Sequence, residues 1–349
     1  MSDGQGALAG GLSYLAVGRE TTFGTGVTCT AGIDFLSANF KLTKENKIIE
    51  QIERSRTNSK YLTLSRKVEG ELEFYYAPLQ DSHNFILQNA FGGTITSATA
   101  TGETVGGGAM AHTFKIGSMD QSYPSLSFNM RKGGSSGGKV FEYSGMRVGE
   151  IEFAAEIDEA LKINSSFIGK DVTLTTNDVE GSLTVSSAPY LTFVNGRFSI
   201  ENTFGSLTSS AFWHVQSVNI SINNNLQSDA SSRRLGSDTL VVLPPGLAQI
   251  EMKCKMRFDT TTAWTAMINA TQLYGQVEFL GNTISGSIAR QGIKFNFQNL
   301  RITDHGDPEV SDPSGIITSE ITFAALRDDS SSTGYALEAV VTNNKASYA

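Results

Sequence analysis

Alternation of apolar and polar residues with a period of two dominates the chain. Leu36, Ala38, Phe40 and Leu42 interleave with Ser37, Asn39 and Lys41, and Leu72, Phe74 and Tyr76 interleave with Glu71, Glu73 and Tyr75. Successive side chains of an extended strand point to opposite faces, so each segment predicts a strand with one apolar side and one polar side. The same reading places strands at 125–131, 140–153 (bent at Gly145 or Gly149), 161–168, 172–176 and 183–185. Further along it places them at 215–222, 248–256, 276–280, 293–302 and 316–325. Helical spacing occurs twice. Phe85, Ile86, Leu87, Ala90 and Phe91 follow a cap at Asp81 or Ser82 and stop at Gly92-Gly93. Ala263, Trp264, Met267 and Ile268 mark a second helix over 259–273 that ends near Gly275. Residues 43–67 interrupt the alternation with a run rich in both charges, including Lys44, Glu45, Lys47, Glu50, Glu53, Arg54 and Arg56. That run predicts a projecting hairpin or loop. Residues 94–112 read as a loop or weak hairpin.

The pattern occurs twice. Ser37-Ala38-Asn39-Phe40-Lys41-Leu42 returns as Ser217-Val218-Asn219-Ile220-Ser221-Ile222, and the segment Val140 to Val148 returns as Lys294 to Ile302. In both halves the helix follows the same strand. The polar run has a counterpart at 223–245 that contains Arg233 and Arg234. An internal repeat sets the architecture of a chain. The expected organisation is a flexible N-terminal arm at 1–12, one β domain at 13–188, and a second at 189–349 whose end, from 330, is a C-terminal arm. The fold class is mainly β, a β-rich α+β with one short helix per repeat.

Composition supports many strands joined by tight turns: 35 Gly, 7 Pro and 39% hydrophobic residues in 349. The net charge is −8, of which the first 185 residues carry −5 and the remainder −3. No basic face for gripping nucleic-acid phosphates is visible. The two cysteines, Cys29 and Cys254, cannot form a disulfide framework and read as buried thiols of a protein made in a reducing compartment. Neither a signal-like start nor an apolar run of bilayer length is present, so a soluble protein is expected.

Candidate chemistry is sparse. His83, His112, His214 and His305 lack metal-ligand spacing. The glycine runs at 106–108 and 133–138 are not followed by the Lys-Ser/Thr of a phosphate cradle. Gly205-Ser206-Leu207-Thr208 lacks the flanks of a nucleophile elbow. No catalytic, cofactor or metal site is expected. Carboxylates crowd two matching segments: Glu150, Glu152, Glu156, Asp158 and Glu159 in the first, Asp304, Asp307, Glu309 and Asp312 in the second. Paired acids serve glycoside hydrolysis or bind calcium. No Asp-x-Asp-x-Asp-Gly loop accompanies them, and two tryptophans are few for a sugar cleft, so solvated or lumen-facing acids are expected.

Three phrases carry a family resemblance. Gly18-Arg19-Glu20-Thr21-Thr22-Phe23-Gly24-Thr25 resembles the opening of the major tail tube proteins of long-tailed bacteriophages. So do the strand-then-Asn-Asn-Leu phrase at Ser217 to Leu226 and the segment Phe141 to Val148. The resemblance implies tandem β-sandwich or half-barrel domains that close into rings, with rings stacked into a hollow virion tube. It implies the tape measure protein, the tail terminator and tail-tip or baseplate proteins as partners, DNA passing through the lumen without specific binding, no membrane, and assembly in the host cytoplasm. Six domains per family ring and two per chain predict a trimer with pseudo-sixfold symmetry, with a hexamer as runner-up. Lys44, Glu45, Lys47, Glu50, Glu53, Arg54, Arg56, Arg233 and Arg234 are then candidates for inter-ring contacts, and Glu150, Glu152, Glu156 and Asp158 for lumen or interface acids. The alternatives are a virion decoration or host-adhesion β domain, and a carbohydrate-active enzyme using Glu152 and Glu156.

Overall fold

The computed structural model of the chain describes residues 10–52, 54, 56–93, 95–100, 108–116, 123–134, 138–203, 207, 214–258, 262–306, 316–329 and 334–348. The first half holds β1 (Tyr14–Glu20), β2 (Ala31–Ile33), β3 (Ser37–Ile49), β4 (Lys60–Tyr75), α1 (Asp81–Phe91), β5 (Thr96–Thr99), β6 (Met110–Ile116), β7 (Ser125–Lys132), β8 (Lys139–Glu156), β9 (Lys162–Gly169) and β10 (Asp171–Thr175). The second half holds β11 (Gly196–Glu201), β12 (Val215–Asn223), β13 (Gln249–Arg257), α2 (Thr262–Ile268), β14 (Leu273–Thr283), β15 (Arg290–His305), β16 (Thr318–Ala325) and β17 (Leu337–Asn343). The strands pair antiparallel into one connected, 17-stranded sheet, so the molecule is β-rich with few helices.

Two long strands organise everything else. The first part of β8 pairs with β7 and β10, and its second part with β9 and β12. A glycine with φ +68, Gly145, lies where it passes from one layer to the other. β15 repeats the plan: its first part pairs with β14 and β17, its second with β16. Around β8 the ladders run β1–β7–β8–β10 and β3–β4–β9–β8. Around β15 they run β11–β14–β15–β17 and β12–β13–β16–β15. The irregularities recur as well. The shift between Val148 and Glu150 opposite β9 returns between Ile302 and Asp304 opposite β16. The shift between Leu126 and Phe128 returns between Leu273 and Gly275. Both sequence matches, 37–42 with 217–222 and 140–148 with 294–302, are therefore in structural register.

Apolar faces close each sandwich. Phe40 of β3 packs on Phe128 of β7 (5.2 Å between ring centroids), and Phe128 meets Phe167 of β9 at 5.1 Å. The halves also share a core, because Phe153 of β8 lies 4.8 Å from Phe295 of β15 and both are fully buried. Two ladders bridge the halves: β8 with β12, and β6 with β17.

Several sequence expectations need correction. Residues 337–343 are strand β17, held between β15 and β6, and so are not a free arm. Leu337, Ala339 and Val341 line the core by the same period of two. Residues 10–12 form an exposed 3-10 turn, while 1–9 lie outside the described residues. Strands β1, β2 and β11 form where no strand was expected, whereas β5 and β6 pair as a short hairpin in and just beyond the stretch read as a loop or weak hairpin. Thr184 makes a single bridge to Ala31 where a strand was expected at 183–185. Helix α2 is shorter than its predicted span, and β14 already begins at Leu273.

Helix α1 is buried along most of its length. Its His83 accepts a hydrogen bond at Nδ1 from the Ala77 amide (3.1 Å) and packs against the Phe74 ring. Burial pushes the His83 pKa down to about 3. A depressed folded-state pKa means that below about pH 6.5 the unfolded chain binds a proton that the folded chain refuses. Stability present at neutral pH is then lost as pH falls, on the order of 3 kcal/mol by pH 4. His112 is shifted down by burial too and acts in the same direction. Urea midpoints from pH 7 to 4 check this: the gap between the native chain and His83→Gln narrows on acidification, whereas a constant gap would contradict it.

Candidate functional site

Two surfaces stand out, a projecting arm and a broad polar face. The arm is the outer part of the β3–β4 hairpin. These strands stay paired from Ser37 opposite Glu73 to Ile49 opposite Lys60, with an irregularity between Lys44 and Asn46. The inner half is anchored by Phe40 and Val68 in the core. Beyond Leu42 the hairpin has no core beneath it. Ile48 and Tyr61, directly opposite each other, are both about 60% exposed, and Ile52 at the tip is fully exposed. Lys44, Glu45 and Lys47 lie on the outer part of β3, and Glu50, Arg54 and Arg56 in the tip, all exposed. Glu53 lies outside the described residues.

The second-half counterpart behaves differently. Residues 223–245 do not project but fold along the base of the arm. Arg66 reaches Asp171 (2.9 Å) and Asp238 (3.1 Å), and its amide donates to the Asp238 carbonyl. Arg233 donates to the carbonyls of Arg66 and Asp238, and Lys67 reaches Ser228. Arg233 is thus brought to the foot of the arm, while Arg234 is simply exposed. Among the described residues each chain therefore presents one arm, although it contains the hairpin strands twice.

The polar face spans eight strands in the order β3, β4, β9, β8, β12, β13, β16, β15. Alternation puts one side chain in two on this face. Glu150, Glu152 and Glu156 of β8 all lie there, beside Asn223, Ser221 and Ser217 of β12. Glu152 accepts from Asn164 (3.0 Å) and from Asn219. Asp158 does not join them: it sits in the turn beyond β8 with φ +67. Of the second acidic segment only Asp304 is described, and it lies at the end of this face. Open depressions of about 330 and 750 Å³ lie along it, both touching Glu150 and Glu152.

Strand register adds residues that local motifs did not single out. Glu69, Glu71 and Glu73 of β4 share the face with Lys41 of β3 and Lys162 of β9. Lys162 sits 3.0 Å from Glu73; their hydrogen bond holds the carboxyl below its usual range and raises the lysine. The Thr43 hydroxyl, and then Lys67, lower Glu69 likewise. On the second repeat, Glu251 and Glu320 are balanced by Lys253, Lys255 and Arg257. The face is therefore acidic over the first repeat and nearly neutral over the second. The strict alternation of Gln249 to Arg257 was the sequence signal for the β13 members.

The motif residues turn out to be structural. Glu20 is buried and accepts from the Gly24 amide (2.8 Å), the Gly145 amide (2.8 Å) and the hydroxyls of Ser125 and Ser127. It ties the turn after β1 to β7 and to the bend of β8, and Gly24 supplies the φ of +70 that the turn requires. Asn224 is likewise buried. It donates to the carbonyls of Ala90 in α1 and Val148 in β8, both at 3.0 Å, pinning the end of β12 to the first half.

Among the described residues, no group of three or more His, Cys, Asp or Glu side chains is placed to hold a metal ion. No helix among them is long and apolar enough to cross a membrane. A search of the curated proteins finds no match. The family model for phage tail tube proteins matches residues 10–342, nearly the whole chain, and the chain belongs to that family.

Proposed function

We propose that this structural protein of the bacteriophage tail builds the tube as rings of three chains, each chain supplying two quasi-equivalent sandwiches. The doubled strand ladder, with its irregularities repeated at matching positions, carries this reading. Three doubled chains offer six similar units, as a pseudo-sixfold ring requires. The 13–188 and 189–349 repeats are its units, fused through β8·β12 and β6·β17. Stacked rings form the tube, assembled in the host cytoplasm, with the tape measure protein inside and terminator and tip or baseplate proteins at its ends. The role is architectural, with no catalytic step.

The arm is the inter-ring contact. Its apolar residues are exposed among the described residues, and Lys44, Glu45, Lys47, Glu50, Glu53, Arg54 and Arg56 supply a charged rim. Arg233 and Arg234 flank its foot. Electron microscopy of the purified protein tests the tube reading: hollow rings or tubes of uniform width are expected. A chain that stays monomeric at high concentration with its tail partners present would remove it.

The eight-stranded polar face lines the lumen. Its acids repel phosphates and let DNA slide. Tubes carrying Glu150→Lys with Glu152→Lys are expected to retain short duplex DNA at low salt, while unsubstituted tubes release it. Equal release by both would place these acids elsewhere.

A further inference from the structure

We propose that β3 of one chain pairs antiparallel with the last part of β15 in a second copy, with Lys41 opposite Gly306, Leu42 opposite His305 and Thr43 opposite Asp304. This joint rests on the ring-forming reading above and specifies the edges and register by which rings close. Among the described residues each edge has a partner on one side only: β3 pairs with β4, and the last part of β15 with β16. Open edges of this kind invite strand addition.

The chain contains the template for the joint. β12, the counterpart of β3, pairs along the second part of β8, the counterpart of β15. There Ser221 faces Glu152, Ile222 faces Ile151 and Asn223 faces Glu150. The ladders fix the residue correspondence independently. Ser37 faces Glu73 as Ser217 faces Lys255, and Arg147 faces Ile168 as Arg301 faces Ala324. The shift at Val148/Glu150 falls where Ile302/Asp304 shifts. Carrying the internal pairing across this correspondence yields the proposed register with nothing adjusted.

Burial supports it separately. Ile222 is 0% exposed under the internal joint, whereas its counterpart Leu42 is 42% exposed. On the other edge, His305 meets the ring of Trp264 at 5.5 Å, and that indole is 38% exposed. Leu42 set opposite His305 comes down beside Trp264, so two apolar groups left exposed at the two sheet edges cover each other. On the polar face Lys41 lies diagonal to Asp304, a favourable cross-strand pair. The two edges differ, so the contact is head-to-tail and repeats until it closes.

Disulfide trapping tests the register. In the internal joint the Asn224 amide donates to the Gly149 carbonyl and the Ile157 amide to the Gln216 carbonyl. Asn223 and Glu150 are therefore a non-hydrogen-bonded pair, the kind whose Cβ atoms come closest. The equivalent substitutions are Thr43→Cys with Asp304→Cys. Native Cys29 and Cys254 are buried and stay out of the reaction. Oxidising assembled double variant should give covalent oligomers up to a closed three-chain band, while Asn39→Cys with Asp304→Cys, four residues out of register, should give none. If the variant folds poorly, hydrogen exchange on unsubstituted rings decides instead. The Leu42 and Lys44 amides should then exchange about tenfold more slowly, or slower still, than in the unassembled chain. Rings without cross-links or protection would overturn the joint and leave the tube reading standing. Absence of rings from the unsubstituted protein would remove both.

Discussion

A chain lacking residues 46–62 is expected to fold and form rings but to build no tubes. The deleted segment carries the outer hairpin, where Ile48, Ile52, Tyr61 and Leu62 are all substantially exposed. None of the core aromatics lies in it, and Phe40, Val68 and Leu72 keep β3 and β4 in the sandwich. Little folding stability is therefore at stake. Covering these side chains on a neighbouring ring contributes on the order of 1 kcal/mol apiece. Over three arms that is on the order of 10 kcal/mol gross, before ordering costs, which shifts a ring–ring equilibrium by several powers of ten. Sedimentation and electron microscopy separate the outcomes. Tubes of normal length from the deleted chain would show that rings stack by another surface.

Phe295→Ala is expected to destabilise both halves together, by about 3–5 kcal/mol, the usual cost of emptying a buried aromatic site. Phe295 is fully buried and contacts Phe153 across the boundary between repeats. Its strand pairs with β17, which in turn pairs with β6 of the first half. Loss of the ring therefore reaches the first half through packing and through a ladder. Urea unfolding followed by hydrogen exchange in β9 and in β16 reads the two halves separately. A fall in β16 protection with β9 unchanged would mean the repeats unfold as independent domains.

What the sequence disclosed depended on how local the deciding interaction was. Alternation located β3, β4, β7, β8, β9, β12, β13, β15 and β16, because half-buried strands carry their burial pattern in their own residues. The two repeated phrases even matched in register, since the strand irregularities are doubled along with the strands. β17 keeps the period of two in Leu337, Ala339 and Val341, but Val340 on the other face blurs the alternation, and its partners β15 and β6 are distant in sequence. Both polar excursions read as loops or hairpins that follow a matching strand, yet one projects and the other folds down. The difference lies in the tertiary contacts of Arg66 with Asp171 and Asp238. Acids were found where they cluster locally, at Glu150, Glu152 and Glu156. Glu69, Glu71 and Glu73 sit on another strand, β4, about 80 residues earlier, and join them on one face only through the β4–β9–β8 ladder. Asp158 was grouped by nearness in sequence and is removed from the face by a single turn.

Counting chains in an isolated ring tests the central claim most directly. Two repeats per 37.5 kDa chain predict a native mass corresponding to three chains. A ring mass of six chains would contradict the account, because the two repeats could not then occupy equivalent places around one pseudo-sixfold ring.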